Sequence, residues 1–252
     1  MPEYLIDKEN FIRYRLTPWD TQSLKLKTSE ILNVQYSDTQ NLNNLIRHFE
    51  EFNRINGINF SYTRVDCNDL LQKKLLMAKG FYIGETSLEI GFNNLKSYNK
   101  TLPTVKLESL DPQNLSDIEA IKEIARDSFS HSRFHDDPFI PNEAARARYF
   151  NWITDLITQK KEIYILKNKG EIIGFHVQQV NDKQADLIIT GCKIGKTALS
   201  IPLWHTVLLI LKESGVISVK TLISCANVGV LNLYVFFNFK IMRSLVGLHK
   251  KY

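Results

Sequence analysis

The spacing of apolar side chains alternates along the chain between a helical and an extended period. Over residues 39–54 apolar positions recur every three or four residues, as in a helix with one buried face. Shorter runs rich in valine, isoleucine and aromatic residues lie between turn residues and predict strands. The predicted strands are 11–16, 29–35, 60–65, 82–90, 104–110, 161–167, 172–180, 185–193 and 218–225, and a last β-rich run follows residue 239. Further helices are predicted over 68–79, 116–129, 141 to about 156, 200 to about 215, and 227–238, with 17–20 as a simple connection between strands.

Polar and flexible residues mark the ends of these helices. Ser116, followed three residues later by Glu119, has the pattern of a capping box. Ser200 is placed to cap a helix that carries Pro202 near its start, and Gly215 is placed to end that helix. The boundaries of both helices therefore follow from the sequence.

One strand–helix–strand unit occurs twice. Residues 60–90 and the segment that begins at Val219 both have the order strand, Asn, helix, Phe, strand, and the Asn-to-Phe distance differs by one residue. We interpret this as an internal duplication. The polar, turn-rich segment 91–103 is predicted as the linker between a domain of residues 1–100 and a domain of residues 104–252.

Composition excludes several classes of protein. The net charge of +5 is spread without a dense Lys or Arg run, which favours a surface that prefers anionic ligands over nucleic-acid binding. Cys67, Cys192 and Cys225 lack metal-ligand spacing and suit a reducing compartment. No apolar run approaches the ~20 residues of a membrane helix, and the N-terminus lacks signal-peptide features. We expect a cytoplasmic protein without a metal ion, a nucleic-acid partner or a membrane span.

The most specific motif lies near the C-terminus. Residues 227–239 read N-V-G-V-L-N-L-Y-V-F-F-N-F and follow an apolar strand. They resemble the C-terminal half of the GNAT acyl-CoA N-acyltransferases, whose usual form is N-x-x-A-x-x-L-Y-x-x-x-G-F. Val230 replaces the usual Ala and Asn238 the usual Gly, and Asn tolerates a left-handed helix end next best after Gly. The resemblance implies an α/β (α+β) fold with a mixed sheet. It implies a complete catalytic domain over residues 104–252 and a truncated, degenerate copy over residues 1–100 that has only a structural role.

The same resemblance implies acetyl-CoA as the acyl donor. The family binds the pyrophosphate with backbone N–H groups in a Q/R-x-x-G-x-G/A loop at a helix N-terminus. The aligned loop is Lys193-Ile194-Gly195-Lys196-Thr197-Ala198, in which Lys196 replaces the central Gly; the alternative is an ordinary solvated turn. Asn227 is implied to hold the cofactor arm. Tyr234 is implied to be the general acid that protonates the departing CoA thiolate, and its alternative role is core packing.

A polar loop after the 116–129 helix points to the acceptor. Its pattern F-x-x-S-R-F-x-x-D-P over residues 129–138, followed by Tyr149 and Trp152, resembles the bacterial TDP-fucosamine acetyltransferases, which acetylate the 4-amino group of a nucleotide-linked deoxysugar. Arg133 is suited to a phosphate or carboxylate, Phe134 to stacking on a base or sugar, and Asp136 or Asp137 to accepting from an amine or hydroxyls. The fourth predicted substrate-binding residue is His131. The alternative is a polar loop in which Arg133 pairs with an Asp.

The general base is the least specific assignment. His176, in the predicted strand 172–180, is the catalytic candidate, and His131 and His135 are the others. A lone strand histidine is also typical of a satisfied structural group. The leading acceptor is a nucleotide-linked amino sugar, and the alternatives are an amino acid, a polyamine or a protein N-terminus. A GNAT-fold binding module without catalysis is the rival of a different class, and a homodimer is compatible with either function.

Overall fold

The computed structural model describes residues 3–252, which form one mixed sheet with helices packed on both faces. The strands are β1 (Glu3–Leu5), β2 (Phe11–Leu16), β3 (Thr28–Gln35), β4 (Phe60–Asp66), β5 (Tyr82–Phe92), β6 (Leu107–Ser109), β7 (Glu162–Asn168), β8 (Glu171–Asn181), β9 (Gln184–Cys192), β10 (Ser218–Ser224) and β11 (Lys240–Lys251). The helices are α1 (Pro18–Leu24), α2 (Thr39–Asn56), α3 (Leu70–Ala78), α4 (Leu115–Asp127), α5 (Asn142–Thr158), α6 (Ser200–Glu213) and α7 (Val228–Phe236). Within residues 3–252, no helix combines the length and the hydropathy needed to cross a membrane.

The two halves of the chain exchange their last strands. The order across the sheet is β1-β2-β3-β4-β11-β5-β10-β9-β8-β7-β6. β11 pairs with β4, and β5 pairs with β10, so each strand–helix–strand unit gives its final strand to the other unit. The exchanged strands β5 and β11 also pair with each other, antiparallel. The exchange joins residues on both sides of the predicted linker in a single sheet.

The two units resemble each other in detail, as the interpretation of a duplication requires. Helices α3 and α7 each have nine residues. The Phe81 N–H donates to the Leu76 carbonyl at 3.1 Å, and in the second unit the Phe239 N–H donates to the Tyr234 carbonyl at 3.0 Å. Leu76 therefore stands where the second unit has Tyr234. Asn238 has a φ of 64°, which confirms the left-handed conformation expected where the family has Gly.

Separate apolar clusters hold the helices to the sheet. One joins α2 and α3 to the strands of the first half. Helices α6 and α7 cover one face of the second half, and α4 and α5 cover the other. A fourth cluster crosses between the halves, where Phe134, Ile140 and Ala145 contact Leu24 and Tyr62. The segment between α4 and α5, which contains the loop predicted to bind the acceptor (residues 129–138), is thus packed against the first half of the chain.

Three local predictions were wrong. Residues 17–20 are not a simple connection, because α1 begins at Pro18 and runs for seven residues. The cap of α4 is Asn114, whose side chain accepts from the Asp117 N–H at 3.1 Å, so Ser116 lies inside the helix. Ser200 is the first residue of α6 and its cap position is Leu199, because a 3-10 turn over Thr197–Leu199 leads directly into the helix.

Candidate active site

A cleft opens where two neighbouring parallel strands separate. β9 and β10 pair only over residues 184–186 and 218–220. Beyond this point β9 stays paired with β8 and β10 with β5, so the facing edges at 187–190 and 221–224 lack a strand partner on the cleft side. Such edges present backbone N–H and C=O groups to a ligand. The cleft has a volume of about 670 Å³, and its walls come from both halves of the chain.

Helix α7 brings Tyr234 and Asn227 to the cleft wall. The Asn227 side chain accepts from the Val230 N–H at 3.2 Å, which confirms its role as helix cap. Tyr234 is 6% exposed, and its ring lies edge-on to Trp204 with centroids 5.0 Å apart. Burial raises the pKa of Tyr234 above its ordinary value, and a contact with Thr221 opposes the shift. The phenol therefore stays protonated at neutral pH, as a general acid must.

The predicted phosphate loop lies on the surface between β9 and α6. All six residues from 193 to 198 are exposed, and Gly195 has a left-handed φ of 81°. The 3-10 turn that follows leaves amides at its start without a helical partner. Lys193 forms an ion pair with Glu171 across the strand edge. The loop offers a helical N-terminus and two ammonium groups to an anion, without enclosing it.

Arg133 lies between the two halves of the chain. Its Nη1 donates to Glu30 Oε1 at 3.1 Å, and its guanidinium lies 4.9 Å from the centre of the Tyr62 ring. Burial disfavours the charge, but Glu30 and the more distant Glu85 and Asp20, together with Tyr62, outweigh burial and raise the pKa of Arg133. Glu30 also accepts from Arg15 Nη2 at 2.6 Å. The partner of Arg133 is therefore a Glu of the first half and not an Asp of its own loop. Phe134 is 4% exposed and packs edge-on against Tyr62, within the wall between the halves.

The two aspartates of the acceptor loop have different partners. Asp136 accepts from Ser224 Oγ at 2.7 Å, at the end of β10. His131 Nδ1 lies 3.5 Å from the same carboxylate, and the His131 side chain is 39% exposed on the cleft wall. The Asp137 carboxylate is buried and lies 2.5 Å from His249 Nδ1 on β11. Asp137 is thus an anchor of the loop, whereas Asp136 and His131 lie together beside the cleft.

His176 lies under the sheet surface and not on the cleft wall. It is fully buried, with Nδ1 2.7 Å from Thr190 Oγ1 and Nε2 3.1 Å from Gln178 Oε1. Burial lowers the pKa of His176 to about 4, and the hydrogen bond to Gln178 opposes the shift in part. Burial also lowers the pKa of His135. This placement favours a structural position for both, and of the three candidate bases His131 is the one that lines the cleft.

The first half supplies a wall of the cleft, although the sequence led us to expect a purely structural unit. Asp20 of α1 is 2% exposed and accepts from the Tyr62 hydroxyl and from Arg148 Nε. Arg148 Nη1 also lies 3.6 Å from Asp155 Oδ2, and the guanidinium lies over the Trp152 ring. All five side chains line the cleft. This wall of the cleft is therefore built from arginines, carboxylates and aromatic rings of both halves.

Comparison of the sequence with known proteins gives one curated relative. No family model matches the chain. The chain is 25% identical over 190 residues to the spore coat polysaccharide biosynthesis protein SpsD of Bacillus subtilis strain 168. The match covers 74% of this chain and 64% of SpsD, so it spans less than two thirds of the relative's length.

Solved structures resemble most of the chain, in both of its halves. A GCN5-related N-acetyltransferase from Sphaerobacter thermophilus matches with a TM-score of 0.69 and 10% identity, over 96% of this chain and 76% of that one. A tandem GNAT protein from the clavulanic acid biosynthesis pathway, in a form without acetyl-CoA, matches with a TM-score of 0.61 and 12% identity, over 89% of this chain and 75% of that one. The chain therefore has the fold of the GCN5-related N-acetyltransferases, as the motif at residues 227–239 predicted.

Proposed function

We propose that this protein transfers the acetyl group of acetyl-CoA to a primary amine of a nucleotide-linked deoxy-amino sugar. The observation that carries the proposal is the separation of β9 from β10 beside Tyr234 and Asn227. The free strand edges can pair with the amide groups of an extended acyl-CoA arm, as a strand would. Two lysines and a helical N-terminus at residues 193–198 suit its phosphates.

The chemistry assigned to the cleft needs one acid and one base. The acceptor amine must be neutral when its nitrogen attacks the thioester carbonyl carbon. As the carbon–sulfur bond breaks, the thiolate takes up a proton, and we assign the supply of that proton to Tyr234. Because burial raises the pKa of Tyr234, the phenol holds its proton until a stronger base appears beside it.

His131 is our choice as the base. It lies on the cleft wall with its Nδ1 3.5 Å from Asp136, and Ser224 fixes the orientation of that carboxylate from the end of β10. An imidazole that is exposed to the cleft can take up the proton that the amine loses. The fully buried His176 has no comparable access and is not part of the proposed mechanism.

The proposed class of acceptor rests on the arginines and aromatic rings that line the cleft. Arg15, Arg133 and Arg148 can meet phosphate oxygens, and Trp19 and Trp152 offer ring faces for a planar base. Carboxylates among them suit sugar hydroxyls. The relative SpsD is described as a polysaccharide biosynthesis protein, which supports a sugar acceptor.

Titration calorimetry with acetyl-CoA tests the donor, with free adenosine as the control for non-specific binding. We expect a micromolar dissociation constant. A thiol-release assay then compares a thymidine-diphosphate-linked 4-amino sugar with the same amino sugar lacking the nucleotide and with a polyamine. Preference for the nucleotide-linked sugar supports the proposal. Acetyl-CoA binding with preference for the polyamine overturns the acceptor, and no binding of acetyl-CoA leaves the non-catalytic binding module as the better description.

A further inference from the structure

A hydrogen-bonded series of four polar side chains, of which the middle two are buried, runs from the protein surface to the cleft. Glu162, an exposed residue at the start of β7, accepts from Gln178 Nε2 at 2.8 Å. Gln178 Oε1 lies 3.1 Å from His176 Nε2, and His176 Nδ1 lies 2.7 Å from Thr190 Oγ1. Gln178 is 2% exposed and His176 is fully buried, whereas Thr190 is partly exposed on the cleft wall. The mechanism described above uses none of these four residues.

The direction of every hydrogen bond in this chain is determined. A carboxylate only accepts, so the Gln178 amide turns its NH₂ group to Glu162 and its oxygen to His176. That oxygen accepts a hydrogen bond from the Nε2–H group. A neutral imidazole has one N–H, so Nδ1 is left as an acceptor, and Thr190 Oγ–H must be the donor to it. A hydroxyl has one proton and two lone pairs, and the Thr190 proton is already committed.

Thr190 therefore presents only lone pairs to the cleft. It lies on β9 at the edge that has no strand partner beyond residue 186. The Trp204 ring packs against both the His176 ring, with centroids 5.5 Å apart, and the Tyr234 ring, with centroids 5.0 Å apart, so His176 and the proposed acid share one aromatic neighbour. A threonine hydroxyl that is free to rotate could either donate a hydrogen bond to a ligand or accept one from it. The hydrogen bonds from Glu162 through Gln178 and His176 direct the Thr190 proton to His176, so Thr190 can only accept one from a ligand.

We propose that Thr190 is a dedicated hydrogen-bond acceptor for an N–H group of the reactants, and that Glu162, Gln178 and His176 are positioning residues that fix its polarity. The proposal rests on the proposed acetyl transfer. Two N–H groups can come to this edge: that of the attacking amine and an amide of the acyl donor's pantetheine arm. An acceptor that holds one N–H of a neutral amine turns the nitrogen lone pair toward the thioester. The same contact with the amide would fix the position of the thioester.

Kinetics and calorimetry of Thr190→Val, Thr190→Ser and the control Thr86→Val test the contact. Thr86 is an exposed strand residue outside the cleft wall. Loss of one such hydrogen bond should raise the affected constant about tenfold in Thr190→Val, while Thr190→Ser and Thr86→Val stay within about twofold of the wild type. A rise in the amine KM alone assigns the contact to the amine, and a rise in the acetyl-CoA dissociation constant alone assigns it to the amide. Unchanged constants in Thr190→Val overturn the proposal.

The donor and acceptor roles of His176 and Thr190 can be observed by NMR without measuring enzyme activity. Long-range ¹H–¹⁵N spectra of the His176 ring, assigned by comparison with His176→Gln, should show a protonated Nε2 and an unprotonated, hydrogen-bonded Nδ1. The Nδ1 signal should move in Thr190→Val and return in Thr190→Ser. A ring protonated at Nδ1 overturns the inference even if the enzyme is active. The wild-type protein could show the expected ring signals and yet bind no acetyl-CoA and acetylate no amine. That result would overturn the proposed function and the assignment of the ligand to Thr190. The direction of the hydrogen bonds from Thr190 to His176 and from His176 to Gln178 would still be supported.

Discussion

Replacement of Tyr234 by Phe removes one oxygen atom and keeps the ring that holds α7 in place. The ring contacts with Trp204 and Phe239, at 5.0 and 4.9 Å, are unchanged by the substitution. The stability cost should be that of a single hydrogen bond with Thr221, about 1 kcal/mol. The fold should therefore survive, and the effect on catalysis can be measured in isolation.

The kinetic effect should lie at the low end of the range for general acids. Such groups contribute on the order of 10²- to 10⁴-fold, and a thiolate is a fair leaving group because the pKa of its thiol is only about 8.5. We expect kcat to fall about 10²-fold, or about 2.7 kcal/mol in activation free energy. The acetyl-CoA dissociation constant should stay nearly unchanged, because the lost proton matters only as the carbon–sulfur bond breaks.

The assay is the release of CoA thiol under saturating acetyl-CoA, with the dissociation constant from calorimetry. The matched control is Tyr98→Phe, which deletes the hydroxyl of another buried tyrosine, 2.6 Å from His205 and outside the cleft wall. A Tyr234→Phe enzyme within twofold of the wild type would remove Tyr234 as the acid. An equal loss in Tyr98→Phe would attribute the effect to stability. Because burial raises the pKa of Tyr234, the wild-type kcat should also show no decline up to about pH 10.

Two further substitutions test other parts of the site, and a third tests the burial of His176. Arg133→Ala should raise the acceptor KM about tenfold or more while acetyl-CoA affinity stays within about twofold, measured by initial rates and calorimetry, and the reverse pattern would place Arg133 on the donor side. Lys196→Glu should raise the acetyl-CoA dissociation constant about tenfold at low salt and less at high salt, and an effect independent of salt would argue against a phosphate contact. His176→Gln is tested by the pH dependence of its unfolding in denaturant. Burial lowers the pKa of His176 from 6.5 to about 4. Between pH 4 and 6.5 this histidine is therefore protonated in the unfolded chain and neutral in the folded chain. The contribution of His176 to the wild-type free energy of unfolding should therefore be fully present above about pH 6.5 and fall by up to about 3 kcal/mol toward pH 4. A His176→Gln variant whose free energy of unfolding falls equally over this pH range would contradict this.

The sequence predicted the elements whose signal is local. The helix α2 was identified because its apolar face repeats over five turns, and the buried positions Leu42, Leu45, Ile46 and Phe49 confirm that face. Asn227 and Asn238 were identified because a cap and a left-handed helix end each have a narrow choice of residues. α1 was missed because seven residues are too few to show a period.

The residues that the first half contributes to the cleft were missed because their contacts join distant parts of the chain. Arg133 and Glu30 are 103 residues apart, and Arg148 and Asp20 are 128 apart. The only local sign was the charge on otherwise apolar strands, where Arg15 and Glu30 lie directly opposite each other in β2 and β3. A surface ion pair gives the same pattern, so the sequence alone favours the exposed interpretation.

The strand exchange explains why a half predicted to be structural lines the site. The Asp137 anchor binds His249 on β11 and the Tyr82 hydroxyl on β5, the two exchanged strands. One residue earlier, Asp136 binds Ser224 on β10. The acceptor loop is therefore positioned by strands of both units at once, and without residues 3–92 both β10 and β11 would lose a hydrogen-bonded neighbour. The change in composition near residue 100 is thus no boundary of the sheet, because strands from both sides of it pair with each other and together shape the cleft.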